Sequence, residues 1–502
     1  YLLMEYRYHQ GNLLDNIYLI NNIQKSDLEI DRFDNINYHQ SLFDFKDKLL
    51  TLKDKHILIV GDYDCDGICA TTITKRLLEH LGINNSYYIP SRIDEGYGLS
   101  EKIVSIAHKH HYDVIITVDN GVSATSSISL ANSLGIKVMI IDHHEYVDTP
   151  DCYGFIHPNL LDKDFNKLSA GALCYLLSTL FYEDDYSLVL GGLSILSDMV
   201  GVLNYNRYLL KRMMSILNTK DIYQIKLLNG ASVDYDSLSF NAIPKINAVS
   251  RMGYNANILV KYFLSDKDEC IKLLDSINKI NDYRKNETKT ECDLALSMLN
   301  RKDKLALIVS SEFKEGICGL IANRISLNYD VPCIVFSKKD GLLKGSGRSR
   351  ENFNIYEYLL DTKDLFTSFG GHGQACGVCI EESKLDDLKA YIDTHKLNML
   401  DYHKDVISVD QGDIDLDLFE KIDSLKPFGI DFKEPLIHIK DFEYKSRFLI
   451  KNKYPKFTVD NKLTAISFNE CDSYRQFNDV YAYIRKDDYH QGALSLLIEE
   501  LL

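Results

Sequence analysis

Seven ionisable side chains stand out by type and spacing. Asp62, Asp64 and Asp66 crowd the turn GDYDCDG, Asp119 sits in VDNG, and Asp142, His143 and His144 form the run DHH. Carboxylates gathered in one cleft repel one another and stay ionised only where cations offset them. Hard oxygen ligands with imidazole suit manganese or magnesium better than thiolate-seeking zinc, so the pattern predicts a pair of divalent metal ions. Asp64 and Asp66, two apart on one turn, can each take a different ion. A carboxylate from a neighbouring strand, Asp119, can bridge them at the roughly 3.5–4 Å of two-metal sites, and His143 adds a nitrogen ligand. Asp-Gly and Asn-Gly are ordinary turn signals, so any one of these acids could be a turn former or a helix cap. The set as a whole has no such explanation.

The elements that must position these groups are legible beside them. Each acidic cluster follows an apolar run: KHILIV before Asp62, YDVIITV before Asp119 and IKVMII before Asp142. Such runs are buried strands, and helix-compatible segments at Ile68 to Leu81 and Ala124 to Leu134 separate them. Strand and helix therefore alternate as in a parallel, doubly wound α/β sheet, which binds ligands beyond the carboxyl ends of its strands. From Asp268 to Arg301 the chain is polar, lacks Pro and Gly, and spaces Leu274, Ile277 and Ile280 as on one helix face. That predicts a long connecting helix. KLALIVSS, VPCIVFS and QACGVCIEE predict a second α/β unit, and the short alternating runs FTVD, LTAISF and DVYAYIR predict a small β-barrel from about Val406 to Leu502.

With 502 residues the chain has room for about three domains. Its 45% hydrophobic and 26% charged residues are those of a folded, water-soluble protein and exclude a disordered one. The longest apolar stretch, Leu188 to Leu203, contains Asp198 and falls short of the ~20 residues that cross a bilayer, so no membrane span is expected. No secretory signal is recognisable, and the chain opens on Tyr1 rather than Met, which leaves open whether a native start precedes it. Eleven cysteines without a framework read as reduced thiols in the cytoplasm. Cys376 and Cys379 form a C-x-x-C with no second pair at zinc spacing, and read as small buried residues. The net charge of -16 has the wrong sign for a protein held to DNA by bulk charge. Nucleic-acid contacts must then be local or metal-mediated. One local window qualifies: Lys445, Arg447, Lys451, Lys453, Lys456 and Lys462 surround a single acid, Asp460, and interleave with Tyr444, Phe448, Tyr454 and Phe457. Barrels of the OB type grip single strands in this way, although lysines on an edge hairpin also guard against aggregation.

GDYDCDG, VDNG and DHH, in that order and followed by LGGLSILSDMV, resemble the four motifs of the DHH phosphoesterase superfamily. The resemblance implies that Asp64 and Asp119 hold one metal, and Asp66, Asp119, His143 and Asp198 the other, with Asp119 bridging and His144 facing the phosphate. Val60 stands where many members carry a His, as it does in some of the RecJ branch; this implies a more open first metal site filled by water. Four further segments are similar to RecJ-like single-strand-specific exonucleases: IPSRIDEGYGLS from Ile89 to Ser100, KINAVSRMG around Arg251, GSGRS from Gly345 to Ser349, and FGGHGQACG from Phe369 to Gly377. The likeness spans residues 50 to 400.

On that resemblance the chain divides into an N-terminal segment (1–50), a DHH catalytic domain (51–260), a connecting helix (261–301), a DHH-associated substrate-binding domain (302–402) and an OB-like barrel (403–502). It implies catalytic roles for His144, Asp142, Arg348 and His372. Arg92, Arg251, Ser349, Gly370, Gly371, Lys451 and Lys453 are implied to bind substrate. The chemistry is reasonable on its own terms, because glycines let a backbone approach phosphate and Arg348 offers a forked donor. The implied activity is metal-dependent 5′-to-3′ hydrolysis of single-stranded DNA to mononucleotides in recombination and repair. Two divalent ions serve it, manganese preferred and magnesium possible, and its expected partners are a single-strand-binding protein and a helicase. The alternatives are an oligoribonuclease or cyclic-dinucleotide phosphodiesterase of the same superfamily, usually shorter and without the barrel, and a non-catalytic DHH scaffold, which would have lost the ligands retained here.

Overall fold

The computed structural model describes the chain except residues 1–4, 30–38, 231, 301, 401–402, 452–453, 469–477, 488–489, 491 and 502, and only the backbone of His372. It comprises two compact units, one of Ile30–Asn398 and one of Tyr1–Glu29 with Met399–Leu502.

The larger unit begins with a five-stranded sheet in the order Asn85–Tyr88, Ile57–Val60, Val114–Val118, Lys137–Ile141, Gly154–Ile156. All four pairings are parallel. The three central strands are the apolar runs expected to be buried, and they are nearly continuous in β-branched residues because both faces are covered. On one face Leu58, Val60, Ile115, Val138 and Ile140 pack with Ile103, Val104 and Ile128 of the helices Glu101–Lys109 and Thr125–Ser133. The helix Cys65–His80 packs with Ala170–Ser178 and Asp185–Ser197. It starts before the expected Ile68 because the Asp64 side chain caps it, accepting the Asp66 and Gly67 N–H groups at 2.9 and 3.1 Å. The two edge strands of the sheet, NSYY and GFI, are short and lack an apolar run that would announce them.

The connecting helix is continuous over 32 residues, Lys267–Met298, and is capped by Asp266. A second five-stranded sheet follows in the order Phe366–His372, Ala375–Glu381, Leu342–Arg348, Cys333–Lys339, Ala306–Ser310, with only its last pair parallel. The cysteines described are free thiols. Cys376 and Cys379 lie three apart on one strand, which turns them to opposite faces and rules out a shared ion.

The smaller unit is an eight-stranded sheet curled around Ile437, Ile439, Phe457, Ala465, Val480, Ala482 and Leu496. The strand Glu5–His9 joins it by parallel pairing with His403–Ser408. The first 50 residues are thus divided, since the helix Gln40–Leu50 lies in the larger unit with Leu42, Phe45 and Leu49 buried. Among the described residues no helix is long and apolar enough to cross a membrane.

Candidate metal centre

The acids gather where the parallel strands end. Asp62, Asp66, Asp119 and Asp142 are all buried, each at most 3% exposed. Asp119 follows the strand Val114–Val118 with φ +61°, a left-handed conformation costly for a side chain other than glycine. Its surroundings over-determine that conformation. The Asp119 N–H donates to the Ile141 carbonyl at 3.0 Å, and the Tyr97 hydroxyl donates to the Asp119 carbonyl at 2.8 Å. The Asn120 amide donates to the carbonyls of Val60 and Val118 at 3.0 and 2.9 Å.

Three ligand sets result, and one of them, Asp119, His143 and His144, overlaps each of the other two. Asp62, Asp64 and Asp119 can each bring an oxygen within 4.8 Å of the others, and Asp66, His143 and Asp198 can do the same with two oxygens and a nitrogen. Asp119 links the sets, because its Oδ1 lies 3.2 Å from His143 Nε2. His143 Nε2 is also 3.5 Å from Asp198 Oδ2 and 3.7 Å from Asp66 Oδ2. The structure therefore gathers Asp64, Asp66, Asp119, His143 and Asp198 as a candidate centre and adds Asp62, to which the sequence reading gives no ion. Val60 is fully buried in the apolar cluster, and the carboxylate of Asp62 stands beside Asp64 and Asp119.

The donor set fits a pair of hard dications. Asp62 Oδ1 is buried without a hydrogen-bond partner. Burial, and then the charge of neighbouring carboxylates, holds Asp62 and Asp119 well above the usual carboxylate range and pushes Asp66 up to about 7 and Asp198 to about 8. A cation would remove that conflict. Burial, followed by the neighbouring His144, lowers His143 to about 3, so its imidazole is neutral and has a lone pair to offer.

Asp142 is an orienting group rather than a ligand. Its Oδ1 accepts the His143 and His144 N–H groups at 2.8 and 3.2 Å and His144 Nδ1 at 2.8 Å, while Oδ2 accepts Val122 N–H at 3.1 Å. Burial opposes its charge, but the His144 hydrogen bond and the other donors outweigh this and hold its carboxyl below the ordinary range. Burial likewise works against charge on His144, yet the Asp142 hydrogen bond and charge, with Asp198 and Asp62 beyond, raise it to about 9. Two supporting groups have no sequence signal. Asp66 accepts the backbone N–H groups of Ala170 and Gly171, and His157 holds the His144 carbonyl at 3.0 Å. His157 Nδ1 accepts Asn159 N–H, which leaves Nε2 as the donor.

Guanidiniums stand beside the acids. Arg92 lies over the Tyr63 ring at 5.0 Å. Burial, then the proximity of Arg92 and Arg348, lowers Arg251 to about 10, so all three side chains share one region. Arg348 Nη1 donates to Ser346 Oγ at 2.6 Å. Strand alternation puts Ser346 and Arg348 on one face, whereas the Ser349 hydroxyl donates to the Phe353 carbonyl at 2.5 Å. Ser346 is therefore the hydroxyl beside the guanidinium. Gly370 and Gly371 lie on the edge strand, and a Cβ at Gly371 would come within 2.3 Å of the Ala375 carbonyl oxygen. His372 ends that strand. In the smaller unit Lys451 occupies a hairpin turn at φ +51°, and Lys453 lies outside the described residues.

A parallel sheet whose strand ends carry this acid and imidazole set is the arrangement that the resemblance to the DHH phosphoesterases implies. The chain matches the DHH family N-terminal domain over residues 56–191, the DHHA1 domain over 302–395 and the RecJ OB domain over 407–499. In these three matches, taken in chain order, it is similar to RecJ-like members of the DHH family. It is 28% identical over 449 residues to the single-stranded-DNA-specific exonuclease RecJ of Bacillus subtilis, covering 83% of this chain and 57% of that one. The RecJ of Escherichia coli is 29% identical over 428 residues, 76% of this chain and 74% of the other. A crystal structure of RecJ in complex with Mn2+ from Thermus thermophilus shares the fold with a TM-score of 0.85 at 20% identity, over 99% of this chain and 79% of that one. The chain thus spans a little over half the length of the Bacillus relative.

Proposed function

We propose that this chain is a metal-dependent exonuclease that hydrolyses single-stranded DNA from the 5′ end to mononucleotides. The observation that carries the reading is Asp119, which belongs to one carboxylate set, lies 3.2 Å from the imidazole of the other, and has the guanidiniums of Arg92 and Arg251 in the same region. The relatives' specificity for single-stranded DNA and the RecJ OB domain support the choice of substrate. Manganese is the ion we assign first and magnesium second; structures of the Thermus RecJ hold each of them.

Asp62, Asp64 and Asp119 would hold one ion, and Asp66, Asp119, His143 and Asp198 the other. When bound, the pair supplies positive charge at the phosphate and acidifies water for in-line attack on phosphorus. His144 keeps its Nδ1 proton on Asp142, which directs Nε2 at the developing charge on the phosphate oxygens. Arg348 and Arg251 take flanking phosphate oxygens with Arg92, while Gly370 and Gly371 allow the strand's backbone to approach closely and His372 adds a donor. Lys451 and Lys453 guide the strand over the barrel. In the cytoplasm, a helicase and a single-strand-binding protein would supply and present the strand during recombination and repair. An oligoribonuclease reading leaves the barrel without a role, and a scaffold reading leaves the complete ligand set without one.

The test uses strands labelled at either end, with and without a 5′ phosphate, incubated with manganese. Labelled mononucleotide should appear at once from the 5′-labelled strand and last from the 3′-labelled one, and Asp119→Ala should abolish both. Near-normal turnover by that variant, or early release of the 3′ label, would refute the reading.

A further inference from the structure

We propose that Asn257 is a positioning residue that fixes the segment Ile89–Ser100, and through it Arg92, by clamping the backbone of Ile89. The inference rests on the reading of Arg92 as a DNA contact. Asn257 starts the helix Asn257–Leu264, 168 residues beyond the segment it holds. Its Oδ1 accepts the Ile89 N–H at 3.0 Å and its Nδ2 donates to the Ile89 carbonyl at 3.2 Å. An amide can close such a ring in only one orientation, and Asn255 sets it. Asn255 Oδ1 accepts the Asn257 N–H at 2.9 Å and the second Nδ2 hydrogen at 2.7 Å.

The clamp acts at the end of the segment that matters for Arg92. Ile89 is 2% exposed, so its backbone groups have little access to water once the amide is gone. Three residues on, Arg92 lies over Tyr63, between Asp62 and Asp64. Next, Ile93 packs so closely on Gly253 that a Cβ there would meet its Cδ1 at 2.9 Å. Other contacts close the segment on itself and hold its far end. Glu95 accepts the Tyr88 hydroxyl, the Ser91 N–H and Lys102 Nζ, and Tyr97 bonds the Asp119 carbonyl. Because Glu95 holds Ser91, the turn that carries Arg92 stays closed on itself when the clamp is lost, but it is no longer fixed to the helix Asn257–Leu264, while the Asp119 end stays tied. Substrate capture should weaken while the metal centre and the chemical step stay as they are.

The test compares Asn257→Ala, its isostere Asn257→Asp, Arg92→Ala and the Arg92→Ala/Asn257→Ala pair, with a 5′-phosphorylated oligonucleotide and manganese. Asn257→Ala should raise KM on the order of 10-fold with kcat within about twofold, and manganese titration should give the wild-type affinity. Asn257→Asp keeps the acceptor but sets an oxygen against the Ile89 carbonyl, and should raise KM likewise; it carries the test if the alanine variant does not fold. In the Arg92→Ala background Asn257→Ala should add nothing. A full further loss in that background, or a fall in kcat or manganese affinity with KM unchanged, would overturn the proposal. So would a normal KM for Arg92→Ala beside a raised one for Asn257→Ala. A wild-type chain that does not degrade the strand at all would instead remove the exonuclease reading on which the proposal stands.

Discussion

Asp66 Oδ1 accepts the backbone N–H of Gly171 at 2.7 Å, at the first turn of the helix Ala170–Ser178. Oδ2 takes the Ala170 N–H at 2.9 Å, so a helix N-terminus, the natural seat of an anion, aims a candidate ligand. Only glycine fits, because a Cβ would lie 2.5 Å from Ser194 Oγ and 3.2 Å from Asp66 Oδ1. Gly171→Ala should displace the carboxylate and lower manganese affinity and turnover roughly 10- to 100-fold, the usual consequence of disturbing a ligand's support. Titration calorimetry with manganese checks it, and an unchanged affinity would show that the helix end does not set Asp66.

The carboxylates make metal-free stability depend on pH in an unusual direction. Burial and mutual repulsion raise Asp66 to about 7 and Asp198 to about 8, with Asp62 and Asp119 also raised, whereas the unfolded chain titrates near 3.8. Between those limits the folded state binds more protons than the unfolded one, so stability falls as pH rises. The contribution is complete below the unfolded value and is lost as pH climbs through about 7 and 8. Metal-free protein should melt at a lower temperature at pH 8.5 than at pH 6, and manganese should raise the melting temperature more at pH 8.5. Thermal melts at both pH values, repeated on Asp198→Asn, test this: the variant should narrow the difference, and an unaltered difference would exclude Asp198 as a source.

Much of this centre is legible in the sequence because its ligands follow apolar runs and fall at one end of a sheet whose topology those runs dictate. Asp198 is a different case. It ends a helix in an apolar stretch, and only the resemblance singles it out. Gly171 and His157 are silent because their roles arise from contacts with Asp66 and His144 that exist only once distant segments have packed. Ser346 and Ser349 are equivalent as letters, and strand register decides which of them faces Arg348. The strand Glu5–His9 carries no mark of its partner, since its place beside His403–Ser408 comes from pairing nearly four hundred residues away.

His144 and Asp142 make a second pH dependence, this one in the rate. The carboxylate 2.8 Å from Nδ1 is the main reason His144 is raised to about 9 against its burial. The proton-bearing form exists below that value and disappears as pH rises through it. Asp142→Asn removes the charge, so the imidazolium should be lost at a lower pH and kcat at neutral pH should fall about 10²-fold. A pH–rate profile with saturating manganese reads both effects. An alkaline limb that does not move would take His144 out of the catalytic step.

In the smaller unit the hairpin of Ser446–Ile450 and Tyr454–Thr458 sets Phe448 directly across from Lys456, with Lys451 at its turn. Phe448 is half exposed, and Tyr454 meets the exposed Phe468 edge-on at 5.9 Å. A flexible strand crossing this face would place phosphates by the lysines and bases on the rings. Two different signatures follow. Each lysine that neutralises a phosphate releases a condensed counterion, so Lys451→Ala/Lys456→Ala should weaken binding of a long strand and flatten its logarithmic salt dependence by about 1.4. Phe448→Ala removes stacking without charge, costing about 1–3 kcal/mol while leaving the salt slope intact. Hydrolysis of a dinucleotide should be unaffected by either. Fluorescence anisotropy over a series of salt concentrations separates them, and a lysine variant whose slope matches wild type would assign these side chains to shielding the sheet edge instead.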